Sequence, residues 1–320
     1  MQILVTGAAG MIGSKLIDAL IASGTLGGRA ITGLTAVDVV APVLPVGVPG
    51  AALAADLSDP AAAAALMEQR PDVIVHLAAV VSGEAEADRA KGYAVNMQGT
   101  VALLEAAAAQ ADYRARFVFA SSVAVFGAPM PDPIPDGYPT RPLTSYGTQK
   151  AIGELLVNDY SRRGLIDGIS IRLPTICVRP GAPNKAASGF FSSILREPLA
   201  GKEAVLPVSE DVKHWFASPR AAVGFLMRAM EMDLSPLGAD RALSMPGLAA
   251  TVADQIAALE RVAGPQVAAL IRRERDETIA AIVDGWPRSF DPQRALSLGF
   301  EAEPDMDAII RAHMEDEAGR

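Results

Sequence analysis

Tyr146 and Lys150 are the residues whose types and spacing most directly suggest chemistry in this chain. They are four residues apart, so in a helix that begins near Ser145 both side chains lie on one face. An ammonium group beside a phenol favours the phenolate, which then acts as a base nearer neutral pH. A serine of the pair Ser121-Ser122 could hold the oxygen that is deprotonated. The set predicts a proton-abstracting site, although Tyr-x-x-x-Lys alone is usually a solvated helix face.

The N-terminus supplies a second signal. A short apolar strand, Gln2 to Thr6, is followed by a glycine-rich turn and an apolar helix, which is the context of a dinucleotide-binding loop. The first glycine permits the turn, the second lets the backbone approach a pyrophosphate, and the third lets helix and strand pack closely. The N–H groups at the helix start would bind the phosphates. The predicted loop residues are Gly7, Gly10, Met11, Ile12 and Gly13, spaced G-x-x-G-x-x-G.

Asp38 stands at the end of the second predicted strand, residues 31 to 37. A carboxylate at this point accepts hydrogen bonds from the ribose hydroxyls of adenosine and repels a 2′-phosphate. Residues 39 to 50, which follow, carry no charge. The sequence therefore predicts NAD rather than NADP as the cofactor.

Composition limits the function classes. A chain of 320 residues that is 50% hydrophobic can bury a large core. The net charge of −9 argues against nucleic acid or an anionic membrane as a partner. The single cysteine, Cys177, favours a reducing cytoplasm, and the few scattered histidines offer no metal-ligand spacing. We expect a cytoplasmic protein with neither a membrane span nor a metal site.

Strands alternate with helices along the first half of the chain, which predicts an α/β fold. The expected architecture is a Rossmann-like, doubly wound parallel sheet with a smaller C-terminal substrate-binding lobe. Residues 1–174 form the predicted NAD-binding domain, and residues 175–320 form mainly the lobe, with some segments returning to the sheet domain. Further strands are expected at 72–77, 117–120 and 168–173, and further helices at 59–69, 90–111 and 146–163.

Together these motifs resemble the extended short-chain dehydrogenase/reductase family over essentially the whole chain. The further matches are Asp56-Leu57, His76-Leu77-Ala78-Ala79, Asn96, Val125-Phe126-Gly127 and Arg172-Leu173-Pro174. Counting back from Phe126-Gly127 assigns the catalytic hydroxyl to Ser122 rather than to Ser121.

The resemblance implies NAD-dependent oxidation of a small sugar acid at its C2 hydroxyl. Tyr146 is then the base, Ser122 holds the reacting oxygen, and Lys150 also bonds the nicotinamide ribose. By the same resemblance, a homodimer forms through helices 90–111 and 146–163. The remaining cofactor contacts implied are Asp56, Leu57, Leu77, Ala78, Ala79, Asn96 and Pro174.

A hydroxy acid also needs a site for its carboxylate. Arg179 and Arg220 are the candidates, because a guanidinium group binds a carboxylate with two hydrogen bonds. Substrate hydroxyls are expected at Ser82, Asn184 and Ser188. His214, beside Trp215, is expected to be structural or to contact substrate, since a tyrosine base is already present.

Two other functions remain open at this point. A nucleotide-sugar epimerase or dehydratase would use the same tyrosine and lysine with tightly bound NAD, and a non-catalytic NAD sensor would use the fold alone. Thr175, where sugar-nucleotide epimerases often have a substrate-contacting asparagine, argues against the epimerase. The intact Ser122, Tyr146 and Lys150 set argues against the sensor.

Overall fold

The computed structural model describes residues 1–181 and 187–318. The strands in chain order are β1 (Gln2–Thr6), β2 (Thr25–Leu26), β3 (Arg29–Ala30), β4 (Gly33–Asp38), β5 (Gly50–Ala54), β6 (Val73–His76), β7 (Arg116–Ser122), β8 (Ile134–Pro135), β9 (Asp167–Leu173), β10 (Thr175–Ile176), β11 (Ala204–Leu206), β12 (Lys213–Ala217), β13 (Ala242–Ser244), β14 (Leu248–Thr251), β15 (Ile271–Arg273) and β16 (Phe290–Asp291).

The helices follow the same alternation. In chain order they are α1 (Met11–Ser23), α2 (Pro60–Met67), α3 (Ser82–Ala87), α4 (Arg89–Gly92), α5 (Gly99–Ala108), α6 (Ser145–Arg162), α7 (Gly189–Leu199), α8 (Pro219–Glu231), α9 (Val252–Ala263), α10 (Pro265–Ala268), α11 (Glu277–Asp284), α12 (Gln293–Ser297) and α13 (Met306–Ala318). A π-helix, Tyr93–Gln98, joins α4 to α5. Within the described ranges, none of the helices has both the length and the apolar character to cross a membrane.

The chain divides into two compact units. Unit 1 comprises residues 1–125, 144–172 and 223–243, and unit 2 comprises residues 126–143, 173–222 and 244–320. One of the boundaries between the units falls between residues 172 and 173, and the predicted domain boundary after residue 174 stays a prediction. Residues 126–143 belong to unit 2, because β8 pairs with β16 and Phe126 packs on Phe290. Residues 223–243 belong to unit 1, because Arg116 donates to the carbonyls at the end of α8.

Unit 1 is built on a seven-stranded sheet in the order β13-β9-β7-β6-β1-β4-β5. The pairs that join β5, β4, β1, β6 and β7 are all parallel. From β1 the chain moves outward through β4 and β5, and then returns to the other side of β1 at β6. Such a reversal opens a crevice at the carboxyl ends of the strands, where ligands bind in sheets of this kind. The sheet confirms the predicted fold class.

Helices cover this sheet through apolar contacts. Leu66 of α2, Leu103 and Leu104 of α5 and Phe117 of β7 share one buried cluster. Helix α6 lies especially close to β7, since a Cβ atom added at Gly153 would fall 2.4 Å from the Phe119 ring. The close approach brings the first turns of α6 against the carboxyl end of β7.

One predicted helix differs in detail from the structure. The expected helix over 90–111 is divided into α4, the π-helix and α5, and α3 precedes it. The π-helix contains Asn96, whose side chain is buried and bonded to neighbouring elements. Bulges of this kind are frequent at functional sites because they redirect a side chain from the regular helix face.

Unit 2 contains a small sheet in the order β10-β12-β14. β10 pairs with β12 in parallel, and β12 pairs with β14 antiparallel. Its core gathers aromatic side chains, among them Phe191 and Phe216, whose ring centroids are 4.9 Å apart. The small sheet carries Thr175 at the start of β10 and His214 within β12.

Candidate active site

Tyr146 and Lys150 lie in the first turns of α6. This helix begins at Ser145 because the Thr144 side chain caps it, accepting a hydrogen bond from the Gly147 N–H at 3.0 Å. Lys150 is buried, and its Nζ donates to the Ala120 carbonyl at 2.7 Å. The same Nζ lies 5.7 Å from the centre of the Tyr146 ring. The ammonium group is thus fixed beside the phenol, as a stabiliser of its ionised form must be.

The environment of Lys150 lowers the pKa of its side chain. Burial lowers the pKa of Lys150 to about 8, because the charged ammonium loses water, while the negative charge of Glu154 opposes the decrease. A lysine with a pKa this near neutrality carries its charge at pH 7 and releases it within a modest rise in pH. Because the pKa lies close to neutral pH, a nearby charge can change the fraction of Lys150 that is protonated.

The two serines at the end of β7 have different partners. Ser121 is buried and donates to Glu154 Oε1 at 2.6 Å. Ser122 is half-buried, and its Oγ accepts from the Ala124 N–H at 3.1 Å. Because Ser122 accepts in that bond, its hydroxyl proton remains to be donated to a ligand oxygen. The geometry favours Ser122 as the serine that holds substrate.

Asn96 fixes the loop that follows β6. Its Oδ1 accepts from the Val80 N–H at 2.8 Å, and its Nδ2 donates to the Val80 carbonyl at 3.1 Å. The same Nδ2 donates to Gln149 Oε1 at 2.7 Å, which joins the loop to α6. Because Asn96 accepts from a backbone N–H, its amide orientation is determined, and with it that of Gln149. Sequence reasoning found Asn96 but missed Gln149, which lies between the two catalytic candidates on α6.

His76 is a buried link between the sheet and the π-helix. Thr100 donates to the Asn96 carbonyl at 2.8 Å, so its oxygen accepts from His76 Nε2, at 2.9 Å. His76 Nδ1 therefore accepts from the Thr6 hydroxyl at 2.7 Å. Burial, reinforced by the Lys150 charge, lowers the pKa of His76 to about 3. The ring is neutral, with one tautomer, and acts as a structural connector.

The glycine loop after β1 has the close contacts that a dinucleotide cradle requires. Gly7 has a φ of +71°, and a Cβ atom there would lie 2.6 Å from the Ala78 backbone nitrogen. A Cβ atom at Gly13 would lie 2.2 Å from the Gly7 carbonyl oxygen. α1 begins at Met11 behind Gly10, which has no side chain to cap the helix N–H groups. These groups face the end at which a phosphate would be bound.

Asp38 lies at the carboxyl end of β4, beside this loop. Its Oδ2 accepts from the Ala9 N–H at 3.0 Å, and its Oδ1 accepts from the Val39 N–H at 2.7 Å. Asp56 is exposed after β5, and hydrogen bonds from Ser58 lower the pKa of its carboxyl, while Leu57 beside it is buried. The cradle, its helix terminus and the Asp38 carboxylate fit a pyridine dinucleotide with a free ribose.

Unit 2 holds the candidates for substrate recognition. Arg179 donates from Nε to the Ile176 carbonyl at 3.0 Å and from Nη2 to Ser188 Oγ at 3.1 Å. Arg220 instead pairs with Glu315 and Asp316, each at 2.7 Å, and these two carboxylates raise its pKa. Pro174 is buried between β9 and β10. Two further candidates are placed as follows: Ser82 begins α3 in unit 1, and Asn184 lies outside the described residues.

Both ring nitrogens of His214 form hydrogen bonds within unit 2. The Pro287 carbonyl can only accept, so His214 Nδ1 donates to it at 2.8 Å, and Nε2 accepts from the Thr175 hydroxyl at 2.6 Å. Burial lowers the pKa of His214 to about 4, and its ring stacks on Phe191 with an interplanar angle of 2°. The histidine is neutral and orients Thr175, which fits the structural role expected from the sequence.

The arrangement supports removal of a proton from a hydroxyl group next to a bound dinucleotide. Within the described ranges, no group of three or more His, Cys, Asp and Glu side chains could hold a metal ion. The base candidate is a phenol supported by an ammonium group, and the dinucleotide cradle belongs to the same unit. This pairing is suited to hydride transfer.

Comparison with known sequences identifies related proteins. The profile of the NAD dependent epimerase/dehydratase family matches residues 3–230. The chain is 46% identical to a D-erythronate dehydrogenase of Cupriavidus necator, over 99% of this chain and 98% of that protein. It is 40% identical to a D-erythronate dehydrogenase of Haemophilus influenzae, over 98% of this chain and 99% of that protein.

Solved structures give the same picture of the fold. A protein of Agrobacterium tumefaciens described as a nucleoside-diphosphate-sugar epimerase matches with a TM-score of 0.97 and 57% identity, covering 100% of this chain and 95% of that one. A GalE-like L-threonine dehydrogenase of Cupriavidus necator, in its holo form, matches with a TM-score of 0.86 and 25% identity, covering 99% of this chain and 100% of that one.

Proposed function

The chain belongs to the NAD-dependent epimerase/dehydratase family, and we propose that it oxidises D-erythronate at C2, giving 2-dehydro-D-erythronate and NADH. Similarity over nearly the full length to two D-erythronate dehydrogenases supports this substrate. The observation that carries the chemistry is the Lys150 ammonium group, held by the Ala120 carbonyl beside the Tyr146 ring. The protein is an NAD-dependent dehydrogenase.

The proposed mechanism assigns one task to each of three side chains. Tyr146, as phenolate, takes the proton of the C2 hydroxyl, so that the O–H bond breaks and the phenol forms. Ser122 donates a hydrogen bond to the same oxygen and keeps it in place. Lys150 stabilises the phenolate by its charge. The nicotinamide of a bound NAD would supply the acceptor for the hydride from the same carbon.

The cofactor would be held mainly by groups of unit 1. We propose that the first turn of α1 binds the phosphates and that the Asp38 carboxylate accepts from the adenosine ribose. Lys150 would also bond the nicotinamide ribose. The full proposed set is Gly7, Gly10, Met11, Ile12, Gly13, Asp38, Asp56, Leu57, Leu77, Ala78, Ala79, Asn96, Tyr146, Lys150 and Pro174.

Arg179 is the arginine that we propose for the substrate carboxylate. The Arg220 charge is already balanced by two carboxylates, and a substrate would have to displace them. Arg179 donates to the Ile176 carbonyl and to Ser188, which is itself a candidate for substrate contact, and its planar guanidinium group suits a bidentate contact with a carboxylate. Ser82 and Ser188 would then contact substrate hydroxyls.

The experiment that tests this function measures NADH formation with four-carbon sugar acids, uronates and nucleotide sugars. We expect NADH with D-erythronate at a kcat/KM at least about tenfold above that of any uronate, which corresponds to a difference of about 1.4 kcal/mol. The control is the same assay with NADP, which should be used poorly. The absence of NADH with every sugar acid would contradict the proposal.

Nucleotide-sugar epimerisation is the second candidate, because the related Agrobacterium tumefaciens structure is described as an epimerase. The same substrate panel separates the two functions. An epimerase would convert a nucleotide sugar without net NADH formation and would purify with tightly bound NAD. Thr175, rather than asparagine, favours the dehydrogenase.

We also propose a homodimer formed through α5 and α6. Leu155 on α6 is 68% exposed and would be covered by the partner helices in such a dimer. Light scattering of the native protein should give twice the chain mass, and Leu155→Arg should give the chain mass. A native protein of single-chain mass would contradict the dimer.

A cytoplasmic location is proposed on the basis of the lone cysteine. Cys177 is free and buried, and burial raises the pKa of its thiol to about 12. Such a thiol is unreactive and suits a reducing compartment. Cell fractionation should recover the protein with cytoplasmic markers, and its recovery in an exported fraction would contradict the assignment.

A further inference from the structure

A buried ion pair lies immediately behind the proposed catalytic residues. Glu154 is one helical turn beyond Lys150 on α6, and its side chain is 4% exposed. Its Oε1 accepts from Arg172 Nε at 2.9 Å, and its Oε2 accepts from Arg172 Nη2 at 2.7 Å. A buried bidentate pair of this kind costs desolvation and is weak evidence of stabilisation. Its place beside the site suggests a role in the chemistry.

The pair is joined to the serine strand. Ser121 donates to Glu154 Oε1, the same oxygen that Arg172 Nε contacts. The residues on either side of Ser121 are the ones that the mechanism uses, since Ala120 offers its carbonyl to Lys150 and Ser122 offers its hydroxyl to substrate. A shift of Ser121 would therefore move both groups. Glu154 thus connects the middle of α6 to the carboxyl ends of β7 and β9.

The charge of Glu154 also acts on Lys150. It raises the pKa of Lys150 against the effect of burial. Without the carboxylate, Lys150 would lose its proton at a lower pH. The phenolate of Tyr146 would at the same time face one negative charge fewer and form at a lower pH.

We propose that Glu154 is a positioning residue that holds Ser121 between the two groups used in the reaction and whose charge sets the pH range in which the Tyr146–Lys150 pair works. The inference rests on the proposed function, because it assumes that this pair is the catalytic one. The Glu154–Arg172 ion pair thereby supports catalysis by positioning the residues that take part in it.

Other titratable groups on α6 and around it also influence the protonation of Tyr146 and Lys150. Apart from Arg172 in the double variant and Tyr146 in the reference proteins of the absorbance measurement, they remain unchanged in every variant below, so a displacement between variants reports on Glu154. On α6 itself they are Tyr146, Lys150, Asp159, Tyr160, Arg162 and Arg163 just beyond its end; on the elements packed against it or adjoining its ion pair they are Glu84, Glu86, Asp88, Arg89, Lys91, Tyr93, Glu105, Arg116, Asp167 and Arg172, together with the neutral His76.

The test compares Glu154→Gln with Ser121→Ala. For E154Q we expect both limbs of the pH profile of kcat to move to lower pH by about one unit, as the loss of one partly screened charge predicts. For S121A, which keeps the carboxylate, kcat should fall several-fold at every pH, with both limbs unmoved. Glu154→Asp should behave as S121A does, because the charge is retained.

A second measurement does not need turnover. The near-ultraviolet absorbance of tyrosinate, taken as the difference between each protein and its Tyr146→Phe counterpart, reports the ionisation of Tyr146 in the protein without substrate. In E154Q this titration should move to lower pH by the same amount. If the wild type oxidises no sugar acid, the proposed function fails, while this titration still decides the role of Glu154.

The outcomes are separable even if one variant is unstable. Should E154Q fail to fold, E154Q/R172Q removes both buried charges and should still show a downward displacement, smaller than that expected for E154Q, because the charges of Glu154 and Arg172 act on Lys150 in opposite directions. The proposal is overturned if, in whichever of these two variants folds, neither the limbs of the pH profile of kcat nor the tyrosinate titration moves. A displacement in S121A as large as in E154Q also overturns it.

Discussion

Unit 1 and unit 2 hold their functional side chains in different ways. In unit 1 the spacing of the residues follows secondary structure directly, with Tyr146 and Lys150 one turn apart on α6 and the glycines between β1 and α1. In unit 2 the corresponding side chains depend on distant partners. His214 is held by Thr175 and Pro287, which are 39 and 73 residues away along the chain.

The difference separates chemistry from recognition. The groups proposed to remove a proton and to hold a dinucleotide occupy regular positions, which many sequences of one family can share. The candidates for recognition of the acid occupy an irregular unit, in which small changes alter what is bound. Variants in unit 1 should therefore affect turnover and the cofactor, and variants in unit 2 should affect the affinity for substrate.

The largest effect is expected in unit 1, from Tyr146→Phe. The variant removes the proton acceptor and keeps the ring, so kcat should fall at least about a hundredfold. NAD affinity, measured by titration calorimetry, should stay within about twofold of the wild type. Tyr138→Phe is a matched control, because its hydroxyl donates to the Pro129 carbonyl at an exposed position. Near-normal turnover of Y146F would remove Tyr146 as the base.

The next effect concerns the cofactor and Asp38→Asn. Loss of a charged acceptor for a ribose hydroxyl should weaken NAD binding by about tenfold to a hundredfold. NADP should bind more tightly than it does to the wild type, because the repulsion of its phosphate is removed. Asp18→Asn, on the exposed side of α1, is the control and should change neither affinity.

The two dissociation constants distinguish recognition from loop damage. Asp38 also accepts from the Ala9 N–H, so the substitution could loosen the glycine loop. A looser loop would weaken both nucleotides by the same factor. Equal weakening would therefore contradict the role of Asp38 as a ribose partner.

The sequence predicted unit 1 far better than unit 2, for physical reasons. The Tyr146–Lys150 spacing and the glycine turn are local patterns, and the alternation of strands and helices defines the parallel sheet. The Glu154–Arg172–Ser121 cluster could not be predicted, since it depends on which parts of α6, β7 and β9 meet. The π-helix around Asn96 left no periodicity signal that differs from a regular helix.

In unit 2 the sequence alone could not decide which arginine binds the substrate carboxylate. Arg179 and Arg220 are equally suited by residue type, and only the structure shows that Arg220 pairs with Glu315 and Asp316 on α13, nearly a hundred residues away. The tautomer of His214 likewise depends on the Pro287 carbonyl. Such facts are properties of packing and are absent from local patterns.

A smaller effect, in unit 2, is expected from Arg179→Gln. Loss of a charged partner for the substrate carboxylate should raise KM for the sugar acid by about tenfold, with KM for NAD unchanged. Arg220→Gln is the matched variant and should change KM less than about twofold, as is usual for an exposed ion pair. Steady-state kinetics with both substrates varied gives the four values. If Arg220→Gln raises KM more than Arg179→Gln does, the role of binding the substrate carboxylate belongs to Arg220.

The smallest change in activity is expected from the buried histidine of unit 2, whose role should appear in stability instead. The pKa values of His214 and His76 are lowered to about 4 and about 3, below the usual 6.5, so the unfolded chain binds more protons than the folded one. Their stabilising contribution is present above pH 6.5 and is lost as the pH falls. Between pH 7 and pH 5, each should cost on the order of 2 kcal/mol of unfolding free energy.

His214→Asn separates the two contributions, because its amide can still donate to the Pro287 carbonyl and has no proton to gain. Denaturant unfolding at pH 7 and pH 5 should show a decrease smaller than the wild-type decrease by on the order of 2 kcal/mol. His76→Asn should remove a similar share from unit 1. If the decrease in H214N equals that of the wild type, His214 is protonated in the folded protein, and its hydrogen bond from Thr175 cannot have the direction described above. Turnover at pH 7 or above, where both rings are neutral, should not reveal the difference, and this is why stability is the quantity to measure.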